Sequence, residues 1–109
     1  MRMPRVLILP DNQVTHMYWR CHNGSPLLSN NKVKDKLLEL YFLYKEQYEI
    51  KLFAFAIMDN HAHFILQASS AKNLGNYTRR VHSQLAKYIN KLHNRDSQVI
   101  KDRYKSPLI

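Results

Sequence analysis

The stretch Met58-Asp59-Asn60-His61-Ala62-His63-Phe64-Ile65-Leu66 decides the fold. An Asp-Asn turn followed by alternating imidazoles and an unbroken apolar run reads as a β-strand entered through a tight turn. Side chains on a strand alternate faces, so His61 and His63 share one face, about 6.5 Å apart along the backbone. Two imidazole nitrogens at that spacing can converge on one metal ion. Histidine pairs on strands also pack or face solvent, and the spacing alone does not choose between these readings.

The sequence before the pair supplies its partner strand. Lys51 to Met58 (KLFAFAIM) is almost continuously apolar, as expected in the interior of a sheet covered on one side. With Asp59-Asn60 and the strand His61 to Gln67 it forms a β-hairpin. Ser29-Asn30-Asn31 offers caps for a helix running to about Glu49. Its apolar positions Val33, Leu37, Leu40, Tyr41, Tyr44 and Tyr48 fall at helical spacing, and the tyrosines read as core-edge residues. Val14 to Arg20 (VTHMYWR) reads as a strand with Val14, His16 and Tyr18 on one face and Thr15, Met17 and Trp19 on the other. Cys21 to Pro26 is a loop, and residues 1–12 are a basic lead-in with an edge strand at Arg5–Leu9, closed by a Pro-Asp-Asn turn.

After the polar link Ala68–Lys72, residues from about Asn73 to His93 form a second helix. Leu74, Tyr77, Val81, Leu85, Tyr88 and Leu92 make its apolar stripe, opposite Arg79, Arg80, Lys87 and Lys91. Asn94 to Asp102 is a polar connection. Arg103 to Ile109 (RYKSPLI) reads as a last edge strand, which tolerates Pro107. The order is β-α-β-β-α-β. It predicts an α+β, ferredoxin-like fold, an antiparallel sheet with two helices on one face. The histidine strand should be central, and its imidazoles should lie on the open face.

A chain of 109 residues forms one domain, residues 1–109, around a single core. Its single cysteine, Cys21, excludes an internal disulfide and suits a reducing, cytoplasmic setting. The apolar run Leu52 to Met58 is too short to span a bilayer, and the N-terminus does not read as a signal peptide. Seventeen Lys and Arg against eight Asp and Glu give a net charge of +9. Residues 72–109 carry nine basic residues against Asp96 and Asp102 alone. Such a surplus favours a polyanion, nucleic acid above all, held by contacts to phosphate. A solvated helix face is the bland alternative.

Three stretches together, Thr15–Asn23 (THMYWRCHN), Met58–Leu66 (MDNHAHFIL) and Asp102–Ile109 (DRYKSPLI), resemble the single-tyrosine HUH transposases. The similarity is to the insertion-sequence-200-like and REP-associated tyrosine transposases. His61-Ala62-His63 fits their histidine–hydrophobic–histidine motif, and Met58-Asp59-Asn60 fits the lead-in. The resemblance implies a ferredoxin-like fold, metal binding by His61 and His63, and a divalent cofactor, Mg²⁺ or Mn²⁺. Two imidazoles favour Mn²⁺ on ligand chemistry. Gln67 is a distant candidate for a third ligand. It also implies a tyrosine hydroxyl that attacks single-stranded or hairpin DNA, leaving a 5′-phosphotyrosine and a free 3′-hydroxyl.

The sequence departs from that pattern in its linker Asp96–Ile100, which lacks the glycine and tryptophan that relatives often show, and at its C-terminal end. The family's nucleophilic tyrosine lies on a helix after the last strand, where this chain stops, which reads as a truncated, catalytically incomplete transposase domain. None of the seven tyrosines plainly replaces it. Tyr104, between Arg103 and Lys105, is retained as a minor candidate for the nucleophile. DNA contacts are expected from Arg20, Arg79, Arg80, Lys87, Lys91, Arg103 and Lys105. His16 is placed near the histidine strand, as a DNA contact or an ordinary sheet residue. The family contains dimers and monomers, so a homodimer is compatible with the sequence.

The competing reading is a non-catalytic nucleic-acid-binding module on the same fold. Such modules display stacking aromatics on their central strands, and a strand with His61, His63 and Ile65 on one face does not. Other histidine enzymes fit poorly. There are no paired His-x-Thr motifs, no acidic continuation after the histidines, and no second cysteine for a zinc deaminase site.

Overall fold

A computed structural model describes residues 13–100 and 104–106. Strand β1 (Val14–Arg20) leads through a short 3₁₀ turn (His22–Gly24) to helix α1 (Asn31–Tyr44). The hairpin β2 (Ile50–Ile57) and β3 (His61–Ala68) follows, then helix α2 (Ala71–Leu92). The three strands are antiparallel in the order β1-β3-β2, so the histidine strand is central. A bridge between Tyr18 and Lys105 brings residues 104–106 alongside β1, on the side away from β3. This is the α+β, ferredoxin-like arrangement. The expected strand at Arg5–Leu9, its closing turn and most of the last strand lie outside the described residues.

Local sequence explains the element boundaries. The Asn30 side chain accepts from the Lys32 amide at 2.7 Å and starts α1. The Ser70 hydroxyl accepts from the Asn73 amide at 3.1 Å and starts α2. Each satisfies a donor that the first turn leaves without a helical partner. Gly24 (φ +65°) follows Asn23, itself left-handed at φ +56°, where the chain leaves β1. Helix α1 ends at Tyr44, not near Glu49. The chain needs residues 45–49 to reverse into β2, with Glu49 in the left-handed region and the Ile50 amide bonded to the Lys45 carbonyl at 2.7 Å.

Both helices pack on one face of the sheet. The inward residues Met17, Trp19, Ala62, Phe64 and Leu66 meet Val33, Leu37, Leu40 and Tyr41 of α1, and Leu74, Tyr77, Val81, Leu85 and Ile89 of α2, in one buried cluster. Tyr41 stacks on Phe64 with centroids 4.2 Å apart and meets Tyr77 edge-on at 5.5 Å. As expected, Tyr44 and Tyr48 pack at the core's edge. Tyr88 is also half-buried there, whereas Leu92, in the final turn, is exposed.

Among the described strands β2 does not take the interior place that its apolar run suggested. It is an edge strand in the described sheet, and its Phe53 and Phe55 remain 58% and 47% exposed. A register shift between Leu52 and Ala54 sets Phe53 outside the regular pairing.

Candidate DNA-cleavage site

The open face of the sheet is built from alternate residues. Strand β1 contributes Val14, His16, Tyr18 and Arg20, and β3 contributes His61, His63, Ile65 and Gln67. Their neighbours Thr15, Met17, Trp19, Ala62, Phe64, Leu66 and Ala68 are buried beneath the helices. The antiparallel register places Arg20 across from His61, Tyr18 across from His63 and His16 across from Ile65. From the other side, β2 sets Ala56 against His63 and Ala54 against Ile65. The histidines therefore have a wall of rings and a guanidinium on the β1 side. On the β2 side the registered neighbours of His63 and Ile65, Ala56 and Ala54, are small and exposed.

The pair behaves as the strand geometry demands. His61 and His63 lie on one face with centroids 4.9 Å apart and ring planes nearly perpendicular, at 85°. Nδ1 of His61 is 2.7 Å from Oδ1 of Asn60, and Nδ1 of His63 is 2.8 Å from Nε2 of His16. Tyr18 and His16 flank His63 with centroids 5.7 and 5.0 Å away. Partial burial pushes the His63 pKa below the ordinary 6.5, and the nearby His61, His16 and Arg20 add to this by opposing a further positive charge. A neutral imidazole retains a lone pair, the form a cation can use.

The donor set fits a divalent ion in part. Two half-buried imidazoles on one face supply half of a nitrogen shell for Mn²⁺ or a related ion. Among the described residues no group of three His, Cys, Asp or Glu side chains is placed to surround an ion. Gln67 faces the same way, but it pairs with Val14 and Lys51, two alternations along the strand from His63.

The other expected contacts fall on two surfaces. Lys105 pairs with Tyr18 and so shares the open face with Arg20 and the histidines. Arg79, Arg80, Lys87 and Lys91 are exposed on α2, across the sheet from the histidines. Arg80 lies over the Tyr44 ring, 5.1 Å from its centroid, and Gln84 donates to the Tyr44 hydroxyl at 2.8 Å. The Gln84 hydrogen bond and then the Arg80 cation lower the pKa of this phenol. Arg95, counted in the basic surplus, is committed to its own turn, donating to Asn90, Ser97 and the Gln98 carbonyl. Arg103 lies outside the described residues.

Tyrosines are poorly placed to attack at the histidines. Tyr104 is buried, and its hydroxyl lies 3.8 Å from where a Cβ on Gly75 would stand, on the helix side of the sheet. Tyr41 and Tyr77 are in the core, and Tyr44 and Tyr88 are on the helices. Tyr18 is on the open face, but its ring lies against His63 and, tilted, against His16.

The sequence does not reveal a Trp–Tyr–His network beneath the sheet. Trp19 Nε1 donates to the Tyr41 hydroxyl at 3.0 Å, and that hydroxyl is hydrogen-bonded to Nε2 of His82. Burial pushes the His82 pKa down to about 3 and raises that of Tyr41 well above its ordinary value. His82 lies beside the apolar stripe of α2, so periodicity marks it as a boundary residue. Only the partner Tyr41 makes its burial tolerable.

Residues 11–106 match the family described as transposase, IS200-like. The chain belongs to the IS200-like transposase family. A REP-associated tyrosine transposase solved bound to a REP hairpin superposes with a TM-score of 0.76 at 14% identity, over 100% of this chain. The chain spans 62% of that protein's length. A protein from Deinococcus radiodurans R1 named as a transposase superposes with a TM-score of 0.71 at 15% identity, over 100% of this chain and 86% of its own. At such identities the two structures attest the fold. No curated protein sequence matches the chain. Among the described residues no helix is long and apolar enough to cross a membrane.

Proposed function

We propose that this transposase-family chain binds single-stranded or hairpin DNA and presents a scissile phosphate to a divalent ion, Mg²⁺ or Mn²⁺, held by His61 and His63. In the enzymes it resembles, such a site serves cleavage and rejoining through a 5′-phosphotyrosine. The observation that carries this reading is the pair itself, two adjacent imidazoles on the open face with Arg20 beside them on one side and the small, exposed Ala54 and Ala56 on the other. When bound, the ion would polarise a phosphate oxygen and stabilise the charge that develops there.

The chain's own residues do the remaining work. Arg20 and Lys105 bring positive charge to the rim and orient the phosphate. Ala54 and Ala56 leave space for the strand to approach. On α2, Arg79, Lys87 and Lys91 add contacts to the backbone that strengthen binding without reading sequence. The family member bound to a REP hairpin makes hairpin DNA the first substrate to try.

The test is binding of a fluorescent hairpin DNA across a salt series, with a covalent-adduct assay on denaturing gels. Binding should weaken steeply with salt and be reduced when Arg79, Lys87 and Lys91 are replaced by alanine. Given where the tyrosines lie, these 109 residues should form no covalent adduct. An adduct that disappears in Tyr104→Phe or Tyr18→Phe would overturn that placement. Absence of hairpin binding at low salt would overturn the proposal itself. Binding without any divalent-ion site would leave the non-catalytic nucleic-acid module.

A further inference from the structure

The open face holds a third imidazole beside the pair, and its contact with His63 is specific. Nε2 of His16 and Nδ1 of His63 are 2.8 Å apart, in rings stacked at 25° with centroids 5.0 Å apart. Two nitrogen lone pairs repel at that distance, so one proton must lie between them. If His16 donates it, a neutral His63 carries its own proton on Nε2 and has no nitrogen left for an ion. If His63 donates it from Nδ1, its Nε2 lone pair is exposed.

His61 shows which arrangement suits the site. Its Nδ1 meets Oδ1 of Asn60 at 2.7 Å, and an amide oxygen only accepts, so His61 carries its proton on Nδ1 and keeps Nε2 unprotonated. We propose that His16 is a positioning residue that accepts a hydrogen bond from Nδ1–H of His63 and so presents the Nε2 lone pair of His63 to a divalent ion. Asn60 and His16 then perform the same task for the two rings, one from the turn and one from the neighbouring strand. An acceptor on the far nitrogen fixes the tautomer and ring orientation and makes the other nitrogen a better ligand. The inference rests on the metal reading of His61 and His63 proposed above, but its first test needs no metal.

The experiment compares wild type, His16→Phe and His16→Gln. Phenylalanine keeps a ring to stack on His63 and Tyr18 but offers no acceptor. Glutamine places an amide oxygen near the position of Nε2. Long-range ¹H–¹⁵N correlation spectra of the metal-free proteins read the tautomer of His63 directly. Wild type and His16→Gln should show the proton on Nδ1, and His16→Phe should move it toward Nε2. Mn²⁺ titration by electron paramagnetic resonance should then give about 10–100-fold weaker binding in His16→Phe and recovery toward wild type in His16→Gln.

A wild-type His63 protonated on Nε2 overturns the proposal. So does a His16→Phe variant that binds Mn²⁺ as tightly as wild type. A wild type with the expected tautomer and no Mn²⁺ site would remove the metal reading, while upholding His16 as the residue that sets the His63 ring.

Discussion

The two faces of this sheet use the same residue types for opposite ends. Beneath it, Trp19, Tyr41 and His82 form a hydrogen-bonded chain that links the sheet to both helices. Above it, Tyr18, His16 and His63 stack within reach of solvent. Both faces draw on the same strands, since Trp19 and Tyr18 are adjacent and point opposite ways. The lower histidine is kept neutral by burial and has its Nε2 engaged by a hydroxyl. At the upper histidine, His63, partial burial and then the surrounding positive charge push the pKa below its ordinary value. Covering by the helices, more than the residues themselves, separates a structural network from a site open to ligands.

Breaking the lower face should cost the most stability. Phe64→Ala removes a fully buried ring stacked on Tyr41 and should destabilise the fold by about 3–5 kcal/mol in urea unfolding. His63→Ala, one position away on the open face, should leave the unfolding midpoint nearly unchanged. Equal losses from both would show that the faces are not divided as described.

Acid should act next, through His82. Its folded pKa of about 3 lies below the ordinary 6.5, so the unfolded chain takes up the proton first. The stability tied to its neutral form is complete above about pH 6.5. It is lost as pH falls from there toward 3, at up to about 1.4 kcal/mol per pH unit. His82→Leu should flatten the unfolding free energy across that window relative to wild type. An unchanged slope would place the acid sensitivity elsewhere. Tyr41→Phe, which leaves Trp19 and His82 without their common partner, should cost about 1–3 kcal/mol at pH 7.5 by the same urea measurement.

The smallest effect should be a gain. Gly75 sits within α2, and a methyl group there would meet the Tyr104 hydroxyl at 3.8 Å, an ordinary contact. Gly75→Ala should raise stability by about 0.5–1 kcal/mol through helix propensity, read as a higher melting temperature. A loss would mean that Tyr104 packs more tightly against α2 than the open space allows.

Much of this division is legible in the sequence, because a strand's alternation is local. The pattern at 61–66 alone assigns His61 and His63 to one face and Ala62 and Phe64 to the other, and VTHMYWR sorts its own residues equally well. The turn at Asp59-Asn60 and the apolar stripe of α2 rest on similarly short-range chemistry. What stays hidden depends on register and neighbours. His16 meets His63 only because β1 runs antiparallel with Tyr18 opposite His63, a matter of which residue faces which. The edge position of β2 escapes a reading that equates an apolar run with a sheet interior. The commitment of Arg95 to its own turn is equally invisible in a count of charges. His82 is legible only once Tyr41 is known to reach it.

If His61 and His63 serve as proposed, the upper face should hold one divalent ion. Mn²⁺ titration of wild type and of the double variant His61→Ala/His63→Ala, followed by electron paramagnetic resonance, tests it directly. One site in wild type that vanishes in a still-folded double variant is the predicted result. A wild type that binds no Mn²⁺, or a double variant that binds it equally well, would show that the pair is not a metal site.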